Sequence, residues 1–137
     1  MAGYSGTPLA KKLGIKPGHR VAVVRAAFDF RAAVGELPEG AVVQDGLAGK
    51  TPLDVIVAFF VKRADLERQL SALRRRMAPA CGLWIAWPKK ASGVATDVTE
   101  NVVREIALPT GLVDNKVCAI DETWSGLRLV IRLEHRG

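Results

Sequence analysis

Histidine and cysteine are scarce in this chain, with two of each in 137 residues. Cys81 and Cys118 stand far apart and form no C-x-x-C pattern, so neither a zinc site nor a redox pair is expected. Two scattered thiols fit reduced packing residues of a cytosolic protein and not a disulfide framework. Aromatic residues make up only 6% of the chain, which leaves the core to Val, Leu, Ile and Ala. No apolar run approaches the ~20 residues that a membrane helix requires. The longest, Val55 to Val61, suits a buried strand. Met1 to Thr7 has neither the basic start nor the apolar centre of a secretory signal. A cytoplasmic protein without membrane contact is the expectation.

Hydrophobic residues reach 49% and charged residues 25%, the balance of a globular chain and not a disordered one. The length fits one domain over residues 1–137 with a single sizeable core, residues 1–7 being flexible. The net charge is +6. That excess favours an anionic small molecule, a nucleotide, nucleic acid or an acidic protein as partner, while a solvated surface is the simpler account of it.

Turn and periodicity signals divide the chain. Thr7-Pro8 reads as a helix cap with proline at the first helical position, opening a short helix over Leu9 to Leu13 that Gly14 ends. Lys16-Pro17-Gly18 turns the chain into a first strand, Arg20 to Arg25. Residues 26–36 are helix-compatible, and Ala41 to Gln44 is a short strand. Leu53 to Val61 runs apolar almost without interruption, as expected of a strand covered on both faces. Arg63 to Met77 shows Leu66, Leu70, Leu73 and Met77 at helical spacing. Arg74, Arg75 and Arg76 complement the dipole at its end, and Pro79 and Gly82 close it. Leu83 to Trp87 is the next buried strand. Asp97 with Glu100 resembles a capping box, with Thr96 as the alternative cap, for a helix presenting Val98, Val102, Val103 and Ile106 inward. Val117 to Ile120 and Leu127 to Leu133 are the last strands. Leu127, Leu129, Ile131 and Leu133 alternate with Arg128 and Arg132, which suggests an antiparallel strand less covered on one face and an edge for pairing in a homodimer.

The order predicts an α/β fold: three-layer, Rossmann-like, with a mostly parallel sheet and a C-terminal antiparallel hairpin. From Lys12 onward it resembles a shortened class I methyltransferase. Lys16-Pro17-Gly18 is similar to the approach to that fold's first strand, Leu53 to Trp87 to its fourth strand, helix and fifth strand, and residues 97–133 to its last helix and terminal hairpin. The chain more closely resembles a bacterial family known as domain of unknown function 3052. The segments that carry this are Gly3 to Gly14, Trp87 to Val94, Val113 to Cys118 and Asp121 to Ser125. That resemblance implies a fold and a compartment, and no activity.

Where a methyltransferase's first strand should meet a glycine-rich turn, this chain has Arg25-Ala-Ala-Phe-Asp-Phe30, without glycine. Asp45 is the one candidate for the acidic residue after the second strand, and a turn explains it as well. No cofactor is therefore assigned. In open α/β sheets ligands bind beyond the carboxyl ends of the strands. Arg25, Lys62, Arg63, Trp87, Lys89, Lys90, Ser92, Asp121 and Trp124 should meet there. Helix starts near Arg63 and Thr96 would add free N–H groups, and Trp87 and Trp124 flat walls. Such a rim suits an anionic ligand. His19, His135, Cys118 and the carboxylates Asp97, Glu100, Asp121 and Glu122 form no evident catalytic arrangement. A non-catalytic binding or regulatory domain is the leading expectation. A small transferase using the same rim and a weak nucleic-acid binder are the alternatives.

Overall fold

The computed structural model describes residues 8–135. The flexibility expected of residues 1–7 and the capping role expected of Thr7 lie outside them. The elements are α1 (Leu9–Lys12), β1 (Arg20–Val24), α2 (Phe30–Val34), β2 (Val42–Asp45), β3 (Leu53–Phe59), α3 (Arg63–Arg75), β4 (Met77–Pro88), α4 (Glu100–Ala107), β5 (Leu112–Ala119) and β6 (Trp124–Ile131). One six-stranded sheet runs in the order β2-β1-β3-β4-β6-β5. The four strands β2, β1, β3 and β4 are parallel, and β6 runs antiparallel to both β4 and β5. This is the three-layer α/β arrangement expected.

The unbroken apolar run of β3 has a direct physical cause. Its residues alternate between two cores, Ile56 and Ala58 on one face, Val55 and Val57 on the other. The first core lies under α3 and α4, where Leu66, Leu70, Leu73, Val103 and Ala107 meet Leu83 and Ile85. The second lies under α1 and α2, where Ala10, Leu13, Phe30 and Val34 meet Val21, Val23 and Trp84. A strand covered on both sides has no reason to alternate polar and apolar residues. Trp84 is fully buried, and its indole N–H donates to the Leu13 carbonyl at 3.1 Å, tying α1 to the sheet.

Several boundaries differ from those predicted. The third helix stops at Arg75, and Met77 opens β4 opposite Leu53, so Pro79 and Gly82 lie inside a strand and close no helix. A bulge separates the Leu53–Met77 pair from the Val55–Gly82 pair and accommodates the proline. Arg76 does not serve the helix dipole: its guanidinium donates to the carbonyls of Leu47, Ala48 and Thr51 and pins the loop before β3. The helix expected over 26–36 is a single turn after Asp29, whose carboxylate accepts from the Ala32 N–H. Neither Asp97 nor Thr96 caps α4; the cap is Thr99, which accepts from the Val102 N–H. Val102 and Ile106 are half-buried, and the fully buried positions of that helix are Val103 and Ala107. β5 begins at Leu112 and β6 ends at Ile131; Leu133 lies beyond the strand, 77% exposed. Among the described residues no helix is long and apolar enough to cross a membrane.

Candidate functional site

Parallel strands leave the sheet on the same side, so topology alone brings distant segments together. β1, β3 and β4 end at Val24, Phe59 and Pro88. Pro88 pairs with Trp124, the first residue of β6, and the Lys89 N–H donates to the Thr123 carbonyl at 2.7 Å. The Phe60 N–H reaches the Ala86 carbonyl at 2.9 Å. The loops holding Arg25, Lys62, Lys89 and Asp121 thus share one rim, as the connectivity predicted.

The side chains there do not all serve one site. Arg25 pairs with Asp65 at 3.0 Å, and its guanidinium lies 5.5 Å from the centre of the Phe60 ring. Arg63 turns into the groove between α3 and α4, where it meets Glu67 at 3.3 Å and Glu105 at 3.1 Å. Hydrogen bonds to those two carboxylates raise its pKa further. Ser92 donates to the Lys89 carbonyl at 2.7 Å and accepts from the Val94 N–H, and Asp121 accepts from the N–H groups of Thr123 and Trp124. Both are turn formers. Trp87 is buried in the core under α3 and α4, whereas Trp124 packs on the opposite face. The two tryptophans therefore do not wall one pocket. The helix starts are closed as well: the Arg63 N–H is taken by the Asp97 carboxylate at 2.6 Å, and Thr99 holds the start of α4. Lys62, Lys89 and Lys90 remain, and no ion pair or side-chain hydrogen bond engages them among the described residues.

Two features of the rim were not anticipated. Phe28 packs edge-on against Phe59 at 5.3 Å, and Phe59 edge-on against Trp124 at 5.2 Å, a line of rings across the ends of β1, β3 and β4. Arg31 reaches Asp45 at 2.9 Å and the Val43 carbonyl at 2.7 Å, so a guanidinium covers the acidic residue ending β2. Arg25 is also the only described non-glycine residue in the left-handed region, at φ 57°. The titratable residues offer little chemistry. Burial pushes the Cys81 thiol up to about 12, and burial also raises Cys118. His19 Nδ1 accepts from the Lys16 N–H, a turn contact. Among the described residues no three His, Cys, Asp or Glu side chains gather as metal ligands would.

No protein-family model and no curated protein matches this chain. Solved structures do. A methyltransferase dependent on S-adenosylmethionine from Aquifex aeolicus superposes with a TM-score of 0.65 at 18% identity, over 93% of this chain and 90% of that one. The fold is methyltransferase-like. Fibrillarin from Methanococcus jannaschii, a pre-rRNA processing protein, aligns over 95% of this chain and 71% of its own, with a TM-score of 0.62 and 11% identity. Fibrillarin from Aeropyrum pernix, solved with natively bound S-adenosylmethionine, gives 0.57 at 14% identity over 89% and 73%. At these identities the likeness is one of architecture.

Proposed function

We propose that this chain is a binding or regulatory domain on a degenerate methyltransferase-like scaffold, and that it holds an anionic ligand or partner at the carboxyl rim of its sheet. The observation that carries this reading is the contrast in partners. Arg25 and Arg63 have carboxylates, while Lys62, Lys89 and Lys90, on two loops converging at that rim, have none among the described residues. Cations on converging loops at the strand ends of an open α/β sheet suit a phosphate or carboxylate.

The residues present do not fit S-adenosylmethionine in the position usual for this fold. The turn after β1 carries an arginine and two phenylalanines in place of glycines, the Asp45 carboxylate is held by Arg31, and a line of rings crosses the strand ends. No transfer step is derived through that cofactor.

A thermal-shift panel of nucleotides, inorganic phosphate and S-adenosylmethionine tests the proposal, since a ligand held by the folded state raises its melting point. A shift with a phosphate-bearing compound that disappears in Lys89→Ala/Lys90→Ala is the expected result. A shift with S-adenosylmethionine would establish the transferase reading instead. Retention of the phosphate shift in the double variant would remove the rim from consideration.

A further inference from the structure

The three arginines that close α3 are held differently. Arg75 donates to the Ser71 hydroxyl at 2.8 Å, and Arg76 is pinned to the loop before β3. Arg74 has no hydrogen bond or ion pair among the described residues, and its Nε–H is buried without an acceptor. No other buried side-chain nitrogen or oxygen among those residues is left so. A buried donor without an acceptor costs free energy, more so when the group is charged. The Arg74 guanidinium has therefore given up water at Nε, and no described carboxylate compensates its charge.

Arg74 stands at one end of the groove between α3 and α4, a cleft of about 410 Å³. That volume is in the range of small-molecule pockets. Arg63, Glu67, Leu70, Ser71 and Arg74 form one stripe of α3, so the groove follows the helix for roughly 16 Å. From α4 and the turn after it come Glu105, Ile106 and Thr110. The floor is apolar: Leu70 belongs to the core beneath the two helices, and Ile106 is half-buried against that core. The end opposite Arg74 is acidic. Glu67 and Glu105 share Arg63 between them, which leaves one negative charge in excess. The cleft is thus polarised along its length, with a cation, then an apolar floor, then net negative charge. A concentrated polyanion would meet repulsion at the acidic end. A single negative charge followed by an apolar body meets none. We infer that this groove binds a medium-chain monocarboxylate. Its carboxylate rests on the terminal nitrogens of Arg74, which can hold it through two parallel hydrogen bonds. Its chain covers Leu70 and Ile106 and points toward Glu67. The site is separate from the rim lysines and does not rest on the reading given for them.

Calorimetric titration with octanoate tests this, and one saturable site is the expected result. Arg74→Gln removes the charge and should weaken binding roughly tenfold, the size of one charge-assisted hydrogen bond. A thermal melt checks the fold of that variant. A ligand series on the unaltered protein reads the same site without a substitution. Acetate lacks the chain and octylamine carries the opposite charge, so neither should show saturable binding. Octanedioate should bind several-fold more weakly than octanoate, because its second carboxylate is brought toward Glu67, roughly 10 Å along the helix from Arg74. Lys89→Ala/Lys90→Ala should leave the octanoate affinity within about twofold. The inference is overturned if octanoate does not bind saturably, if folded Arg74→Gln binds it equally well, or if octylamine or octanedioate binds as tightly as octanoate. Loss of octanoate binding in the double lysine variant also overturns it, since the carboxylate would then sit at the rim.

Discussion

Asp97 and Thr99 stand two residues apart and cap different helices, which makes a double-mutant cycle decisive. The Asp97 carboxylate accepts from the Arg63 N–H at 2.6 Å, at the start of the 13-residue α3. Losing a capping acceptor costs about 1 kcal/mol. Losing a negative charge at a helix N-terminus adds roughly 0.3–1 kcal/mol. Asp97→Ala should therefore destabilise by about 1.3–2 kcal/mol. Thr99→Ala removes the acceptor for the Val102 N–H of α4, for about 1 kcal/mol. The two share no hydrogen-bond partner, so the double variant should lose about 2.3–3 kcal/mol, additive within about 0.5. Urea unfolding followed by tryptophan fluorescence resolves differences of this size. A double variant no less stable than Asp97→Ala alone would mean that both residues serve one cap, and the assignment of Asp97 to α3 would be wrong.

Trp84→Phe leaves the Leu13 carbonyl without its indole donor and should cost about 1–3 kcal/mol, read from the same unfolding curves. Gly126→Ala should cost about 1–3 kcal/mol, because its Cβ would meet Ile120 Cδ1 at 2.9 Å and Trp84 Cε3 at 3.1 Å in the core. Burial raises the Cys81 thiol from 9.0 to about 12, so the folded state holds its proton more tightly than the unfolded state does. The stability this gives is complete below pH 9 and lost as pH climbs toward 12. Reduced protein should show that alkaline decline, and Cys81→Ala should flatten it.

The elements that periodicity marks strongly were legible. The run through β3, the leucine stripe of α3 and the hairpin of β5 and β6 follow from which faces are covered, and a short sequence window records that. The parallel order then placed the rim without coordinates. What the sequence hid was pairing at a distance. Asp97 sits before one helix and serves another 34 residues earlier in the chain. Arg76 continues a run of arginines yet anchors a loop 25 residues upstream. Arg63 looks like a rim cation, and only the approach of α4 shows that Glu105 holds it elsewhere. The turn at 25–30 did carry a readable signal, the absence of glycine, and the edge-on packing of Phe28 against Phe59 explains what stands there instead.

Arg25 joins that sequence signal to the rim. A non-glycine residue in the left-handed region costs about 1–2 kcal/mol. Its side chain is 44% exposed, so its pair with Asp65 offsets at most about 1 kcal/mol in water. Contact with the Phe60 ring adds about 0.5–1 kcal/mol. Arg25→Gly would relieve the strain, forfeit both contacts and pay about 0.5–1 kcal/mol of backbone entropy, for a net change within about 1 kcal/mol of zero. A loss above about 2 kcal/mol in urea unfolding would show that Arg25 is a structural keystone. A near-zero change would show that folding stability does not account for a strained arginine at the end of β1. Strain that stability does not explain points to a demand made at the rim itself.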